Sequence, residues 1–191
     1  MIENLVEEAK KGSEDAMERL YGLFLKKIYN YVFMVVKDED EAKEITQETF
    51  FKAFFNIKKL KNNRFFEQWL YKIARNEVLQ TLKRKKRFVG DEDLFVKENG
   101  KYHVAAVDMG TSPEKKCLDG ELKEIIDRAI DLLPPKQKEV FVLAVIQKKS
   151  YAEVSEIVGR SLLSVKSDIF RARSSVKEYI KKNLGLDRNG N

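Results

Sequence analysis

Apolar side chains recur every three and four residues along most of this chain, and very little interrupts that repeat. Only 9 glycines and 3 prolines punctuate 191 residues. A 3.6-residue period gathers such positions on one helix face, whereas a strand would need strict alternation. The chain therefore reads as all-α. Ser13 is placed to cap a helix that carries Ala16, Leu20, Leu23, Phe24, Ile28, Tyr31 and Val35 on one broad face. Asp38, with Glu41 three residues on, signals the next start, and the stripe Ala42, Ile45, Thr49, Ala53 and Ile57 follows. After a polar connection at 58–63, a third helix from about Phe65 to Arg87 turns Phe66, Leu70, Ile73, Ala74 and Val78 inward.

Periodicity then fails from Phe88 to about Thr111, where Gly90, Gly100 and Gly110 fall. So long a structureless stretch is unusual inside one compact domain and reads as a linker. Helix resumes at Ser112-Pro113-Glu114, with proline at the first helical position, and stops at Leu133-Pro134-Pro135. The next helix carries Val140, Phe141, Leu143, Ala144 and Ile146. Ser150-Tyr151-Ala152-Glu153 is a capping box, Gly159 a left-handed stop, and Ser161 the cap of a long helix with Val165, Ile169, Ala172 and Val176 inward. A short helix, a glycine turn and a longer helix form the helix-turn-helix signature. The expected organisation is two small helical domains, 1–87 and 112–191, joined by an irregular linker over 88–111.

Lys and Arg number 37 against 31 acidic residues, a formal charge of +6 that suits a polyanionic partner. One cysteine, Cys117, and one histidine, His103, make neither an internal disulfide nor a Cys/His zinc site. There is no glycine-rich phosphate loop and no nucleophile elbow. Metal, cofactor, small-molecule substrate and enzymatic activity are therefore not expected. The N-terminus has no charged lead into an apolar run, and no apolar stretch is long enough to cross a bilayer. These observations imply a soluble cytoplasmic protein with no direct membrane insertion.

Three helix faces are hard to explain by packing. In the second helix Glu44, Glu48, Phe51 and Phe55 lie opposite the core stripe, an acidic and aromatic surface suited to a basic partner helix. One of the two rings could instead pack on the first helix. In the third helix Trp69, Lys72, Asn76 and Lys83 form a stripe with Arg75 beside it. Aromatic, amide and cationic groups together suit unstacked bases and their phosphates, although a lone tryptophan is commonly a core-edge residue. The run Lys83-Arg84-Lys85-Lys86-Arg87 exceeds what a helix C-terminus needs and fits phosphate binding. In the last helix Leu163, Ser167, Phe170 and Arg171 face outward, with Ser164 and Lys166 at the border. Arg can take guanine edges and an apolar ring thymine methyls, so this face fits a major-groove reader. A domain interface around Phe170 fits those residues equally.

These segments resemble a known family. Asp40-Glu41-Ala42-Lys43-Glu44-Ile45-Thr46-Gln47-Glu48-Thr49-Phe50 looks like the core-polymerase-binding segment of sigma region 2. Trp69-Leu70-Tyr71-Lys72-Ile73-Ala74-Arg75-Asn76 is similar to the promoter-melting segment that follows it. Leu133-Pro134-Pro135-Lys136-Gln137-Lys138-Glu139-Val140-Phe141, and Val165-Lys166-Ser167 with Phe170-Arg171-Ala172-Arg173, look like region 4. The resemblance runs from about Asp15 to Ile180, linker apart, and lacks regions 1.1 and 3. That points to the extracytoplasmic-function (ECF) branch of the sigma-70 family.

The resemblance implies promoter-specific transcription initiation with core RNA polymerase. Glu44, Gln47, Glu48, Phe51 and Phe55 would meet the β′ clamp helices, and the β flap would be a further polymerase contact. Leu60, Lys61, Asn62, Arg64 and Phe65 would capture a flipped base of the upstream-ten element, with Trp69, Lys72, Arg75, Asn76 and Lys83 along the strand. Tyr151, Ser161, Ser164, Lys166, Ser167, Phe170, Arg171 and Arg173 would read the upstream-thirty-five element. The linker would thread the polymerase cleft, and an anti-sigma factor would hold the protein inactive.

Three positions depart from the family pattern. Leu60-Lys61-Asn62 stands where Phe-Arg-Gly is frequent, Leu163-Ser164 replaces Gly-Thr, and Asp168 occupies a position that is usually basic. An acid beside phosphates needs a reason. Either Asp168 pairs with Arg171 one turn on, the reading adopted, or it is tolerated at the rim. Two other functions fit parts of the pattern: a sigma-like decoy that sequesters an anti-sigma factor, and a stand-alone helix-turn-helix regulator.

Overall fold

A computed structural model describes residues 1–89 and 113–185. The expected linker lies almost wholly outside those residues. Within them the chain forms eight α-helices and no strand. The N-terminal domain consists of α1 (Ile2–Lys10), α2 (Glu14–Val36), α3 (Glu39–Phe55) and α4 (Phe66–Val89). The C-terminal domain consists of α5 (Pro113–Asp131), α6 (Pro135–Phe141), α7 (Tyr151–Val158) and α8 (Leu162–Asn183).

Helix α1 precedes the first expected helix. Leu5, Val6 and Ala9 are buried on one side of it, at the three-and-four spacing that would have revealed it. Gly12 then turns the chain at φ 94°, where a Cβ is penalised. Ser13 Oγ accepts the Ala16 N–H at 3.3 Å, and Asp38 Oδ1 accepts the Glu41 N–H at 2.9 Å, so both expected caps form. The N-terminal core gathers Leu20, Phe24, Ile28, Ala53, Phe66, Leu70 and Ala74. Leu23, expected inward, is instead 50% exposed.

In the C-terminal domain the Ser150–Glu153 capping box forms in both directions, and Gly159 ends α7 at φ 65°. Ser161 Oγ accepts the Ser164 N–H at 3.2 Å at the start of α8. The segment expected to continue α6 is a π turn, Val142–Ile146, closed by the Gln147 N–H on the Val142 carbonyl at 2.9 Å. This wider turn ends in Lys148 at φ 54° and points Gln147 and Lys149 at the other domain. Helix α4 lies against α7, and the two domains are docked along that line.

Candidate functional site

The outward stripe of α3 is bare. Phe51 and Phe55 are 66% and 78% exposed and stack on each other with centroids 6.2 Å apart. Neither ring packs on α2, the alternative that the sequence left open for one of them. Glu44 and Gln47 stand in solvent beside them, and half-buried Glu48 bridges to Lys52 at 3.1 Å. Two stacked rings that no described residue covers are an exposed hydrophobic surface.

The connection from α3 to α4 is anchored at both ends and open at its tip. Leu60, expected to meet DNA, instead turns its side chain into the core at 6% exposure, because an apolar residue between two short helical turns gains more by burial. Lys61, Asn62, Arg64 and Phe65 remain exposed. Asn62 Oδ1 accepts the Arg64 N–H at 3.0 Å, a local turn that fixes the direction of the backbone.

Helix α4 divides the stripe that its sequence suggested. Trp69, Ile73, Asn76 and Gln80 line an open groove of about 440 Å³ with Lys52, Asn56 and Lys59 of the preceding segments. Lys72 and Arg75 point to the other flank, into the docked C-terminal domain. Arg75 Nε donates to Glu139 Oε1 at 2.7 Å, and Lys72 Nζ meets Glu156 at 3.5 Å. Gln68 donates to Glu153 at 3.0 Å. Lys149, only 8% exposed, pairs with Glu67 at 2.6 Å and sits 5.0 Å above the Tyr71 ring. Tyr71 donates its hydroxyl to Gln147 at 2.9 Å. Burial, with the Glu67 charge nearby, pushes the Tyr71 hydroxyl far above the usual phenol range, so it stays a donor.

Two further groups mark this seam. Burial favours a protonated Glu153, but hydrogen bonds from the Ser150 hydroxyl and N–H, nearby Lys149 and the Gln68 amide outweigh it and hold the carboxyl below its ordinary value. Tyr31 touches Tyr71 edge-on at 5.5 Å, and its fully buried hydroxyl has no hydrogen-bond partner among the described residues. None of these bridges was legible in sequence, because each joins residues more than sixty positions apart.

At the end of α4, Lys83 and Arg84 are exposed, while Lys85 is held by Glu41 at 2.6 Å. The side chains of Lys86 and Arg87 lie outside the described residues. On α8, Leu163 and Phe170 are 79% and 73% exposed, and Lys166, Ser167, Arg171 and Arg173 stand with them on the outer face. The domain interface lies elsewhere, on Asp131, α6, α7 and the turn between the last two. Ser161 spends its hydroxyl oxygen on the α8 cap, and Tyr151 is half-buried at the start of α7.

Asp168 does not pair with Arg171. It forms an ion pair with Arg160, which also donates to Ser164 Oγ at 2.6 Å. Arg160 lies in the turn before α8, so the pair ties that turn to the second helical turn of α8. Helical i,i+3 and i,i+4 spacing could not have suggested a partner across a turn. Among the described residues no cluster of His, Cys, Asp or Glu could hold a metal, and no helix is long and apolar enough to cross a membrane.

Both halves of this architecture match known families. Residues 20–88 match Sigma-70 region 2 and residues 123–176 match Sigma-70, region 4. Sigma-70 region 2 followed by a region 4 helix-turn-helix defines a promoter-specificity factor of the sigma-70 class. The chain is 31% identical over 182 residues to the ECF RNA polymerase sigma factor SigW of Bacillus subtilis, covering 95% of this chain and 97% of that one. It is 29% identical over 180 residues to the ECF RNA polymerase sigma-E factor of Haemophilus influenzae, covering 92% and 93%. Two solved structures share the fold. CnrH in complex with the cytosolic domain of CnrY has a TM-score of 0.66 at 20% identity and covers 99% of both chains. The sigma factor RpoE in complex with the anti-sigma factor NepR, from Bartonella quintana, has a TM-score of 0.71 at 22% identity and covers 86% of this chain and 96% of its own. The chain belongs to the ECF sigma factors.

Proposed function

We propose that this protein binds core RNA polymerase and directs promoter-specific transcription initiation, with α3 as its docking face and α4 and α8 as its two DNA faces. The observation that carries the reading is the pair of sigma regions on one helical chain, aligned over nearly its whole length with an ECF factor. The stacked Phe51 and Phe55 with Glu44, Gln47 and Glu48 supply the apolar and acidic surface that a basic polymerase helix would cover. The Lys61–Asn62 tip and the Trp69–Asn76 groove suit a strand whose bases have left the duplex. Lys166, Ser167, Phe170 and Arg171 suit base edges in a major groove. An anti-sigma partner belongs to the same reading, as NepR does for the related RpoE.

The docked arrangement is then the inactive one. Elements named for ten and thirty-five base pairs upstream lie about 25 pairs apart, roughly 85 Å at 3.4 Å per step. Domains touching along α4 and α7 cannot reach both. The chain between Val89 and Pro113 spans at most about 80 Å when extended, enough to let them part on polymerase. Until they part, Glu139 and Glu156 occupy cations that phosphates would otherwise meet.

Run-off transcription with purified core polymerase and a random-promoter library tests the reading. The chain is expected to select upstream-ten and upstream-thirty-five sequences. A Glu48→Lys, Phe51→Ser variant is expected to stay folded and lose polymerase binding. A chain that binds an anti-sigma factor yet supports no transcript on any promoter would be the decoy instead.

A further inference from the structure

Helix α1 lies outside both matched family regions, and its role is written in its contacts. Its last residue, Lys10, donates from Nζ to the Leu60 carbonyl at 2.6 Å and to Asn63 Oδ1 at 2.6 Å. Asn63 donates in turn to Glu7 Oε2 at 2.9 Å and to the Glu3 carbonyl at 3.4 Å. One half-buried ammonium therefore grips the residues on either side of the Lys61–Asn62 tip. Leu60 is further pinned by its buried side chain, and α1 by Leu5, Val6 and Ala9 in the same core. The tip is a two-residue bridge between posts that α1 holds at a set separation.

We infer that Lys10 is a positioning residue for base capture: it sets the span and direction of the loop tip without touching DNA. The inference rests on the proposed role of the Lys61–Asn62 tip. Its chemistry favours this over a purely structural role. Its exposed neighbour Lys11 pairs with Glu7 on its own helix at 3.9 Å. Lys10 instead spends its donors on a backbone carbonyl and an amide fifty and more residues away. Such contacts restrict a loop at little electrostatic cost and leave the charged tip, Lys61 and Arg64, free for phosphate.

The test uses the full chain with core polymerase and four promoters that differ only in the base captured by the tip, read as open-complex yield. Lys10→Met keeps the aliphatic stem but removes the donors. It is expected to cut the discrimination between best and worst base by roughly tenfold, the scale of lost hydrogen bonds to a charged group. Polymerase affinity and binding to an upstream-thirty-five duplex should stay unchanged. Lys10→Arg should restore most of the discrimination, which mere packing would not require. Glu7→Ala, which removes the Asn63 contact and the exposed Lys11 pair but leaves Lys10 in place, should give a smaller loss in the same direction, and it serves if Lys10→Met does not fold. Full discrimination in Lys10→Met and Glu7→Ala, beside a loss in Asn62→Ala, would overturn the inference and leave base capture standing. Full discrimination in Asn62→Ala and Lys61→Ala as well would remove base capture by the tip, and the role of Lys10 with it.

Discussion

Replacing Glu139 by Gln should open the protein and strengthen its grip on the upstream-ten strand. Glu139 accepts from Arg75 Nε at 2.7 Å and from Nη2 at 3.5 Å, with side chains 15% and 20% exposed respectively. Glutamine keeps the shape and one acceptor oxygen but loses the charge. Hydrogen bonds to a charged group are worth about 1.5–3 kcal/mol, and residual solvent screening places this one near the lower end. A loss of about 1.5 kcal/mol shifts the balance between docked and parted domains roughly tenfold. The apparent affinity of a ligand scales with the competent fraction, so a single-stranded upstream-ten oligonucleotide should bind up to about tenfold tighter while the docked form dominates. Fluorescence anisotropy with the free chain measures the affinity, and small-angle scattering measures the radius of gyration. Both should rise in the variant, and the gain should shrink with added salt as the remaining bridges are screened in both proteins. Unchanged oligonucleotide affinity with a more extended chain would show that Arg75 is no part of the DNA face. Neither quantity changing would show that the Arg75–Glu139 pair does not hold the domains together.

Asp168→Ala leaves Arg160 without its ion-pair partner, and Arg160 Nη1 already lacks a hydrogen-bond partner among the described residues. This should destabilise the helix-turn-helix by about 2–3 kcal/mol in chemical denaturation, with matched and mismatched upstream-thirty-five duplexes losing affinity alike. Tyr31→Phe removes a buried hydroxyl without a partner and should raise stability by about 1 kcal/mol in the same assay. Glu153 has its carboxyl held below the ordinary value in the folded state, so its contribution is complete above the unfolded-state pKa and fades as pH falls through the folded one. Unfolding followed from neutral into acid should show that loss, and Glu153→Gln should flatten the slope.

Much of the fold could be read from local rules, because each rule concerns neighbours along the chain. Caps at Ser13, Asp38, Ser150 and Ser161, the stop at Gly159 and the buried stripes of α3 and α8 all follow from positions a few residues apart. The bare faces around Phe51, Phe55, Leu163 and Phe170 were legible for the same reason, since helical period alone says what cannot point inward. Helix α1 was legible too, in Leu5, Val6 and Ala9, but its shortness hid it.

What remained took three dimensions to decide. Leu60 turned inward because the core assembled by distant residues could take its side chain. Asp168 found Arg160 across a turn rather than Arg171 along a helix, and Lys72 and Arg75 met Glu156 and Glu139 of the other domain. A charge has no partner written beside it. Helical period tells which way a side chain points; only the packing of whole helices brings an opposite charge to meet it, and here that packing places Asp131, Glu139 and Glu156 of the C-terminal domain on Lys37, Arg75 and Lys72 of the N-terminal one.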